Sequence, residues 1–472
     1  MMNFTINNIT IPSGAKFILS VFPMMGYKAY LVGGCCRDAI LNKEPHDWDI
    51  CTNATPEEMM WMVKELNRVR KDKPEIKTIP TGMKHGTITI VIDDEPYEVT
   101  TFRQDGEYSD GRRPDDVSFT KNLLDDLQRR DFTINAIAFS PYEGFIDPFN
   151  GIQDIENKTI KCVGNPNDRF NEDGLRILRA IRFAAQLEFT INDDTTIAIH
   201  ENKHLLDKIS KERINSELCK ILNSNNCGNQ VLREYADVLC QFIPQIRNMI
   251  GFEQNNPYHP YDVWEHTLHC MNYLSRENPN EPYNDIITRL AVLLHDIGKP
   301  NCYVIDDKCV GHFYGHAKES TKIAYDILTD LRFSNEIVDK TVELISYHDI
   351  RFTTTKASVK RLLNKLEEKQ FRRLLQLRRC DIIGQNLITF PERALKVCNI
   401  ENILNEIIEE KECFCLKDLA INGKDLIEHG IKEGKLIGEI LNTLLTMVID
   451  GDTSNEKEYL LQIIDNVLLN GR

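Results

Sequence analysis

The stretch YLVGGCCRDAILNKEPHDWDIC, residues 30–51, decides the fold predicted for the first part of the chain. A short apolar run ends at Gly33 and Gly34, an amphipathic segment follows, and a second apolar segment carries Asp47 and Asp49. This order predicts a strand, a helix and a second strand. Because alternate residues of a strand share one face, both carboxylates are expected to point to the same side. Two such oxygen ligands can hold a pair of Mg²⁺ ions about 3.5–4 Å apart, an arrangement used in phosphoryl transfer.

The two glycines fit the same chemistry. Lacking side chains, Gly33 and Gly34 allow backbone N–H groups to approach a triphosphate where a helix begins, and the helix macrodipole favours negative charge there. An Asp-x-Asp pair alone is also common in surface turns. The interpretation therefore depends on the compound pattern, GGxxRD at residues 33–38 followed by His46-Asp47-x-Asp49.

That compound pattern resembles the head domain of the class II tRNA nucleotidyltransferases and bacterial poly(A) polymerases, within the DNA polymerase β superfamily. The resemblance implies a small mixed α/β head domain that transfers nucleotides with Mg²⁺ bound by the two aspartates. Glu98, which opens the string EVTTFR, matches a third carboxylate of the family. The nucleotide-binding positions of the first motif correspond to Gly33, Gly34 and Arg37.

A second string, RRDFTINA at residues 129–136, matches the family's next motif. Fixed cations can neutralise a triphosphate, and an acceptor such as Asp131 with Asn135 nearby can read a ribose hydroxyl. The resemblance therefore adds Arg130, Asp131 and Asn135 to the nucleotide-binding residues. Between the two motifs, the Gly-, Asp- and Arg-rich segment Gln104–Val117 is predicted to be a loop. Family members that add CCA or only the terminal A carry such a loop, whereas those that add only CC have it shortened.

The segment NEDGLRILRAIRFAAQL, residues 171–187, is predicted to be a helix, on which Asp173 and Arg176 share a face. They could form a surface ion pair worth less than about 1 kcal/mol. Alternatively, an aspartate acceptor beside an arginine fits the edge that cytosine and adenine share, whereas uracil and guanine leave buried groups unpaired at roughly 1–3 kcal/mol each. The string matches the family's EDxxR motif, a protein template for C and A. Arg179 and Arg182 are expected to continue a basic face that binds nucleotide and RNA.

Histidines and aspartates with a different pattern occupy the second half of the chain, in the order His266, His295, Asp296, His316, His348 and Asp381. An adjacent His-Asp pair with further His and Asp on separate predicted helices supplies the ligands of one or two transition metals. This order resembles the HD phosphohydrolase superfamily, whose domain is fused to many bacterial tRNA nucleotidyltransferases and acts on 2′,3′-cyclic and 2′-phosphates. The resemblance implies a first metal such as Ni²⁺ or Mn²⁺ on His266, His295, Asp296 and Asp381, with His316 and His348 available for a second.

The composition of the chain limits its domain count, its location and the way it can bind RNA. The chain has 472 residues, too many for one core, and its 42% hydrophobic and 27% charged residues are ordinary for globular proteins. Its 14 cysteines form no CxxC pair, and neither a signal-like leader nor a bilayer-length apolar run is found, so we expect reduced thiols, no membrane segment and a cytoplasmic location. The net charge of −15 predicts that RNA binds through local basic patches.

We therefore predict an α+β protein, with a mixed α/β head over residues 1–150, followed by an all-helical neck over 151–225, an HD domain over 226–390 and a tail over 391–472. The predicted activity is template-independent addition of CCA to the 3′ end of tRNA from CTP and ATP, with an HD phosphodiesterase or phosphatase used in 3′-end repair. The alternatives are a terminal-A-adding enzyme, a poly(A) polymerase, and an RNA end-processing phosphohydrolase whose head only binds tRNA. The sequence leaves the HD substrate, the HD metal and the oligomeric state open.

Overall fold

The computed structural model describes residues 5–70, 75–106, 117–225, 231–276, 283–351, 353–385 and 391–470. The chain forms two compact units, with the boundary between Pro244 and Gln245. This boundary falls within the predicted HD domain, and the four predicted domains remain predictions. Residues 107–116, most of the predicted Gln104–Val117 loop, lie outside the described residues.

Strands are concentrated in the first unit. Over the described residues they are β1 (Thr5–Ile6), β2 (Ile9–Thr10), β3 (Ala29–Val32), β4 (Ile50–Thr52), β5 (Lys77–Gly82), β6 (Thr87–Ile92), β7 (Glu95–Thr101), β8 (Arg103–Asp105), β9 (Val117–Phe119), β10 (Ala138–Ser140), β11 (Gly144–Ile146), β12 (Thr159–Ile160) and β13 (Thr190–Ile191). Seven of them form one sheet in the order β11-β10-β3-β4-β7-β6-β5. In its centre, β4 is antiparallel to β3 and parallel to β7.

Helices cover the sheet and form the rest of the first unit. Those in the described ranges are α1 (Ser13–Met24), α2 (Gly34–Ile40), α3 (Pro56–Val69), α4 (Leu123–Gln128), α5 (Gly151–Glu156), α6 (Pro166–Glu172), α7 (Leu175–Leu187), α8 (Asp193–Asn202), α9 (Lys211–Leu222), α10 (Leu232–Glu234) and α11 (Ala236–Leu239). The start of α3 follows from its sequence: the Thr55 hydroxyl accepts from the Glu58 N–H (3.3 Å) and the Glu58 carboxylate accepts from the Thr55 N–H (2.8 Å). This capping box, with Pro56 in the first turn, satisfies donors that a helix start leaves free.

Strands β6 and β7 form an antiparallel hairpin that carries Glu98. Asp93 and Asp94 form its turn with φ angles of 53° and 65°. Two left-handed residues match the right-handed twist of paired strands, and aspartate adopts this conformation more readily than most residues. The turn sets the register in which Thr89 faces Glu98, so the length of the hairpin places Glu98 on β7.

The second unit is largely helical. Its helices within the described residues are α12 (Val263–Arg276), α13 (Ile286–Leu294), α14 (His316–Asp330), α15 (Asn335–Tyr347), α16 (Lys356–Ile383), α17 (Glu392–Glu409), α18 (Gly423–Glu428), α19 (Lys435–Asp450) and α20 (Lys457–Asn470), and its strands are β14 (Val304–Ile305) and β15 (Gly311–His312). Every residue from Ile287 to Leu294 is buried, and α13 packs against α12, α15 and α16. The centre of this unit is therefore the helix that leads into His295 and Asp296.

The predicted fold class, a mixed α/β head followed by a largely helical remainder, is confirmed. Short strand pairs, β12 with β13 and β14 with β15, interrupt the part expected to be all-helical. Among the described residues, no helix combines the length and the apolar character needed to cross a membrane.

The single helix predicted over residues 171–187 is wrong at its start. The chain leaves α6 after Glu172 and begins α7 at Leu175. Asp173 has an extended backbone, and its carboxylate accepts from the Leu175 N–H (3.0 Å). Gly174 packs so closely on Leu205 that an added Cβ would lie 3.1 Å from its carbonyl oxygen. The helical periodicity is thus interrupted at Asp173, whose carboxylate also accepts from Arg213.

Candidate functional site

The predicted carboxylates lie where β4 begins. Asp47 and Asp49 precede the first residue of β4, so they occupy an irregular segment rather than the predicted strand. The Val32 N–H donates to the Asp49 carbonyl oxygen (3.0 Å), which holds this segment against β3. The residues that follow Asp49 and Glu98 are partners in the parallel β4–β7 pair. Asp49 and Glu98 therefore stand side by side on neighbouring strands.

The three carboxylates form an accessible acidic group. Asp47, Asp49 and Glu98 are all exposed. The pKa of Asp49 is raised, chiefly because the protein displaces part of its hydration; Arg130 opposes the shift, and Glu98 and Asp47 add to it. Like charges held together beside solvent favour a hard divalent cation such as Mg²⁺, which prefers carboxylate oxygens. The group fits the cation that the sequence resemblance implies.

A buried acid that the sequence analysis missed holds Arg130 near these carboxylates. Asp126 is fully buried, and its two oxygens accept from Arg129 (2.7 Å) and Arg130 (3.2 Å). Burial alone would raise the pKa of Asp126, but the two guanidinium groups lower it. In the sequence, the spacing of three and four residues from Asp126 to Arg129 and Arg130 could have indicated these ion pairs. Gly33, with a φ of 80°, accommodates this arginine, because an added Cβ would lie 3.0 Å from Arg130 Nη1.

Four predicted nucleotide-binding residues form one hydrogen-bond network. The amide of Asn135 accepts from Arg37 (2.8 Å) and donates to Asp131 (3.2 Å). Asp131 is buried and also accepts from Nε of Arg179 (2.8 Å). Although burial opposes ionisation, Arg179 and the other donors hold the pKa of Asp131 well below its usual value. Both oxygens of Asp131 are thus engaged within the protein, where they orient Arg179 and Asn135.

Asp173 and Arg176 are each held by other residues, on different elements. The Asp173 carboxylate accepts two hydrogen bonds from Arg213 on α9, at 2.7 and 3.3 Å. Arg176 forms an ion pair with Glu172 and donates to the carbonyl oxygen of Arg129 (3.2 Å). The expected shared helix face is wrong, because Asp173 lies before α7. The two side chains are nevertheless fixed by contacts that restrict their rotation.

The expected basic face, continued by Arg179 and Arg182, is wrong at Arg182. This residue is only 7% exposed and donates to the buried Glu217 of α9 (3.0 Å), because α7 packs against α9 on that side. Its guanidinium lies 4.2 Å from the ring centroid of Phe183, and those of Arg37 and Arg179 lie at 5.1 and 5.6 Å. The sequence analysis missed Phe183, which supports three cations through its π face.

The predicted metal ligands of the second unit converge on the end of α13. Their ligand atoms form two groups in which all atoms lie within 4.8 Å of one another, namely His266, His295, Asp296 and Asp381, and Asp296, His316 and His348. Asp296 belongs to both groups. Its Oδ2 lies 3.3 and 3.2 Å from Nε2 of His266 and His295, whereas its Oδ1 lies 3.4 Å from Nε2 of His316. One buried carboxylate thus faces two sets of nitrogen donors.

All four imidazoles are held through the same ring nitrogen, Nδ1. Nδ1 of each lies 2.6–3.0 Å from a backbone carbonyl oxygen, those of Gly384, Val292, Phe313 and Ile345 for His266, His295, His316 and His348 respectively. A carbonyl oxygen can only accept, so Nδ1 carries the proton and Nε2 carries a lone pair. These Nε2 atoms face each other at 3.3 Å in the first group and 3.1 Å in the second.

Lone pairs and carboxylates at these separations repel unless cations lie between them. Nitrogen donors with a few carboxylate oxygens are the ligands that transition metals prefer. The donor set therefore fits one or two such ions. Lys299 compensates part of the negative charge, with Nζ 2.7 Å from Asp296 and 2.8 Å from the amide oxygen of Gln254.

Comparison with known proteins supports the interpretation of the first unit. A model of the poly(A) polymerase head domain matches residues 29–161, a model of an RNA-binding region of these polymerases matches 188–248, and a model of tRNA nucleotidyltransferase domain 2 matches 313–464. The chain is 32% identical to the CCA-adding enzyme of Enterococcus faecalis over 459 residues, which span 96% of each protein. It is also 32% identical to that of Limosilactobacillus reuteri over 97% of each protein. The chain belongs to the family of CCA-adding enzymes.

Solved structures of family members have the same fold. The CCA-adding enzyme of Bacillus stearothermophilus, solved in complex with CTP, is similar over 98% of this chain and all of its own, with a TM-score of 0.66 and 26% identity. The Thermotoga maritima CCA-adding enzyme, solved with tRNA, is similar in fold over 97% of this chain, with a TM-score of 0.60 and 22% identity. The matched family models include no phosphohydrolase, and His266, His295 and Asp296 lie between the matched ranges.

We expect Asp126→Asn to lower the free energy of unfolding at pH 7 by about 3 kcal/mol, because the partly buried Arg129 and Arg130 lose a fully buried counterion. The folded-state pKa of Asp126 is lowered, so its stabilisation is present above its unfolded pKa of about 3.9 and disappears as the pH falls through the folded value. The difference between parent and variant in urea unfolding should therefore shrink below about pH 4.

The neighbouring Asp125→Asn is the matched control. The Asp125 carboxylate accepts from the hydroxyl of Thr120 (2.7 Å) and is only half-buried. Its loss should cost no more than about 1 kcal/mol. Equal destabilisation by the two variants would contradict the role assigned to Asp126.

Proposed function

We propose that this chain adds CCA to the 3′ end of tRNA with CTP and ATP as substrates. The placement of Asp49 beside Glu98 at an accessible edge of the head sheet carries the proposal. The names of the full-length relatives and the CTP complex of a similar structure support it. A terminal-A-adding enzyme and a poly(A) polymerase need the same head and remain alternatives. An end-processing hydrolase with a non-catalytic head is disfavoured, because the head retains all three carboxylates.

The proposed reaction is an in-line displacement. The oxygen of the tRNA 3′-hydroxyl bonds to the α-phosphorus of the nucleotide, its proton departs, and the bond to the bridging oxygen breaks to release pyrophosphate. Mg²⁺, when bound by Asp47, Asp49 and Glu98, supplies neutralisation of the phosphate charge. Arg130 lies against Gly33, where it can pair with phosphate oxygens that approach the glycine backbone.

We propose that Asp173 and Arg176 form a rigid hydrogen-bonding edge that selects the base. Arg213 holds the first, while Glu172 and a backbone carbonyl hold the second, so neither side chain is free to turn away from an incorrect base. A rigid acceptor and donor reject uracil and guanine because these bases would leave buried groups unpaired.

A second activity is proposed for the second unit, on the observation that four Nε2 lone pairs converge on two carboxylates. We propose an HD-type phosphohydrolase that repairs the 3′ ends of tRNA. His266, His295, Asp296 and Asp381 would hold a transition metal such as Ni²⁺ or Mn²⁺, which would supply a bound water with a pKa lowered toward ~7. The water oxygen bonds to phosphorus, one P–O ester bond breaks, and its oxygen takes up a proton. Hydrolysis of a 2′,3′-cyclic phosphate leaves a phosphate monoester, and hydrolysis of a 2′-phosphate leaves a free hydroxyl. The head can then add nucleotides to the repaired 3′ end.

We expect Asp47→Ala or Asp49→Ala to abolish nucleotide addition, because each removes a cation ligand at the reacting phosphate. Incorporation of labelled CTP into tRNA lacking CCA is the measurement. Affinity for that tRNA, measured by filter binding, should change less than about threefold, because phosphate contacts along the RNA supply most of the affinity. Substantial CTP incorporation by either variant would refute the assigned site.

We expect Asp173→Ala and Arg176→Ala to relax the choice among CTP, ATP, UTP and GTP. Arg213→Ala should produce the same relaxation, because it releases Asp173 without touching the base. Misincorporation ratios under single-turnover conditions measure the effect, which should be about 10-fold or more for UTP relative to CTP. Arg213→Lys retains the charge but not the two-pronged contact, so it should restore discrimination only in part. Unchanged ratios in all variants would make these contacts purely structural.

We expect Asp296→Ala to remove both bound transition metal and hydrolysis of 2′,3′-cyclic phosphates, since Asp296 faces both donor groups. CCA addition with Mg²⁺ should stay within about twofold of the parent, because the head carboxylates are a separate site. Metal content by mass spectrometry gives a readout besides activity. His269→Ala is the control: this imidazole lies one turn from His266 and stacks on Tyr261 (4.1 Å) outside the donor groups. Retention of metal by Asp296→Ala would refute the site.

A further inference from the structure

A cavity at the candidate metal ligands of the second unit is lined by several cationic side chains besides the one that contacts these ligands. Its volume is about 580 Å³, and Asp296, His316, His348 and Asp381 are among its lining residues. This is large enough for a ligand bigger than a phosphate group. Besides Lys299, which is engaged by Asp296, the cavity is lined by Arg351, Arg378, Arg393 and Lys396.

One face of α17 supplies part of this lining. Arg393, Lys396, Val397 and Ile400 all line the cavity and follow the spacing of a single helix face. Val397 and Ile400 are buried, whereas Lys396 is exposed. Long basic side chains therefore extend from an apolar base toward solvent.

The contacts of Arg393 leave its positive charge available. Arg393 donates to the amide oxygen of Gln385 and lies 4.3 Å from the ring centroid of Tyr258, neither of which is an anion. Arg378 donates to the carbonyl oxygen of His348. Several cationic side chains that line one cavity favour a polyanionic ligand.

An exposed aromatic ring lines the same cavity. Tyr314 is 74% exposed, and its ring stacks on His312 with the planes 9° apart and the centroids separated by 5.4 Å. The stack holds the ring while one face remains available. Such a face binds nucleic acid bases without regard to their identity.

We infer that this cavity binds the sugar-phosphate backbone of a single-stranded RNA 3′ end, and that it favours polynucleotide ends over mononucleotides. The inference rests on the proposed phosphohydrolase and specifies its substrate class. A mononucleotide has one phosphate, which the donor cluster needs. The remaining cations, Arg351, Arg393 and Lys396, can then bind only phosphates farther along a strand. The ring of Tyr314 can stack on one of its bases.

The test compares two substrates with the same reacting group, an RNA hexanucleotide that ends in a 2′,3′-cyclic phosphate and 2′,3′-cyclic CMP. In the full chain loaded with Mn²⁺, Arg393→Ala/Lys396→Ala should lower the ratio of kcat/KM for RNA over the mononucleotide about tenfold, mainly through KM. The slope of log(kcat/KM) for RNA against log salt should decrease in magnitude by about 1.4, because two phosphate contacts are lost. The control Lys322→Ala/Lys369→Ala removes two exposed cations outside the cavity lining and should leave the ratio unchanged.

The aromatic ring is tested with a matched pair of variants. Tyr314→Ala should lower the same ratio about fivefold or more, whereas Tyr314→Phe keeps the stacking face and should stay within about twofold of the parent. An unchanged ratio in both the double variant and Tyr314→Ala, or equal losses on both substrates, overturns the inference.

Binding separates this inference from the proposed hydrolysis. If the parent hydrolyses neither substrate, the proposed hydrolysis is wrong, and the RNA subsite is judged by fluorescence anisotropy of a labelled hexanucleotide that ends in a 2′-phosphate. Tenfold weaker binding by Arg393→Ala/Lys396→Ala than by the parent then supports the subsite. Equal affinities overturn it.

Discussion

The parallel pairing of β4 with β7 is the constraint on which the head site depends. The β4 strand has three residues, all buried, and lies between the antiparallel β3 and the parallel β7. Its position fixes Asp49 beside Glu98, and β3 runs directly into Gly33. A slip of one residue in either pairing would turn the side chains to the opposite face and separate the carboxylates. Buried side chains on β3 and β4, such as Tyr30 and Cys51, make such a slip costly.

Features governed by neighbouring residues were predictable from the sequence. The capping box at Thr55 and the turn at Asp93 and Asp94 arise within a few residues, so composition alone indicates them. The convergence of the histidines and aspartates of the second unit was predictable for another reason. A His-Asp pair at the end of a largely apolar helix is expected at the centre of the unit, and α13 is buried from Ile287 to Leu294.

Features that depend on distant partners were not predictable. Asp173 is held by Arg213, and Arg182 by Glu217, across separations of 40 and 35 residues. Periodicity gives the face of a helix but not the helix that covers it, so a buried Arg182 looks the same in sequence as an exposed one. The break before α7 lies at Asp173, the residue that the distant Arg213 holds.

The two candidate metal sites have opposite physical designs, which suits them to different ions in one chain. The head presents three exposed carboxylates, an arrangement that allows a hard, strongly hydrated ion such as Mg²⁺ to keep water ligands and to arrive with a nucleotide. The second unit buries four imidazoles whose Nδ1 protons are committed to backbone carbonyls, which pre-orients nitrogen donors for a transition metal. Mg²⁺ competes poorly for nitrogen donors, and oxygen-only sites offer transition metals fewer of the ligands they prefer. Donor chemistry therefore favours different ions at the two candidate sites.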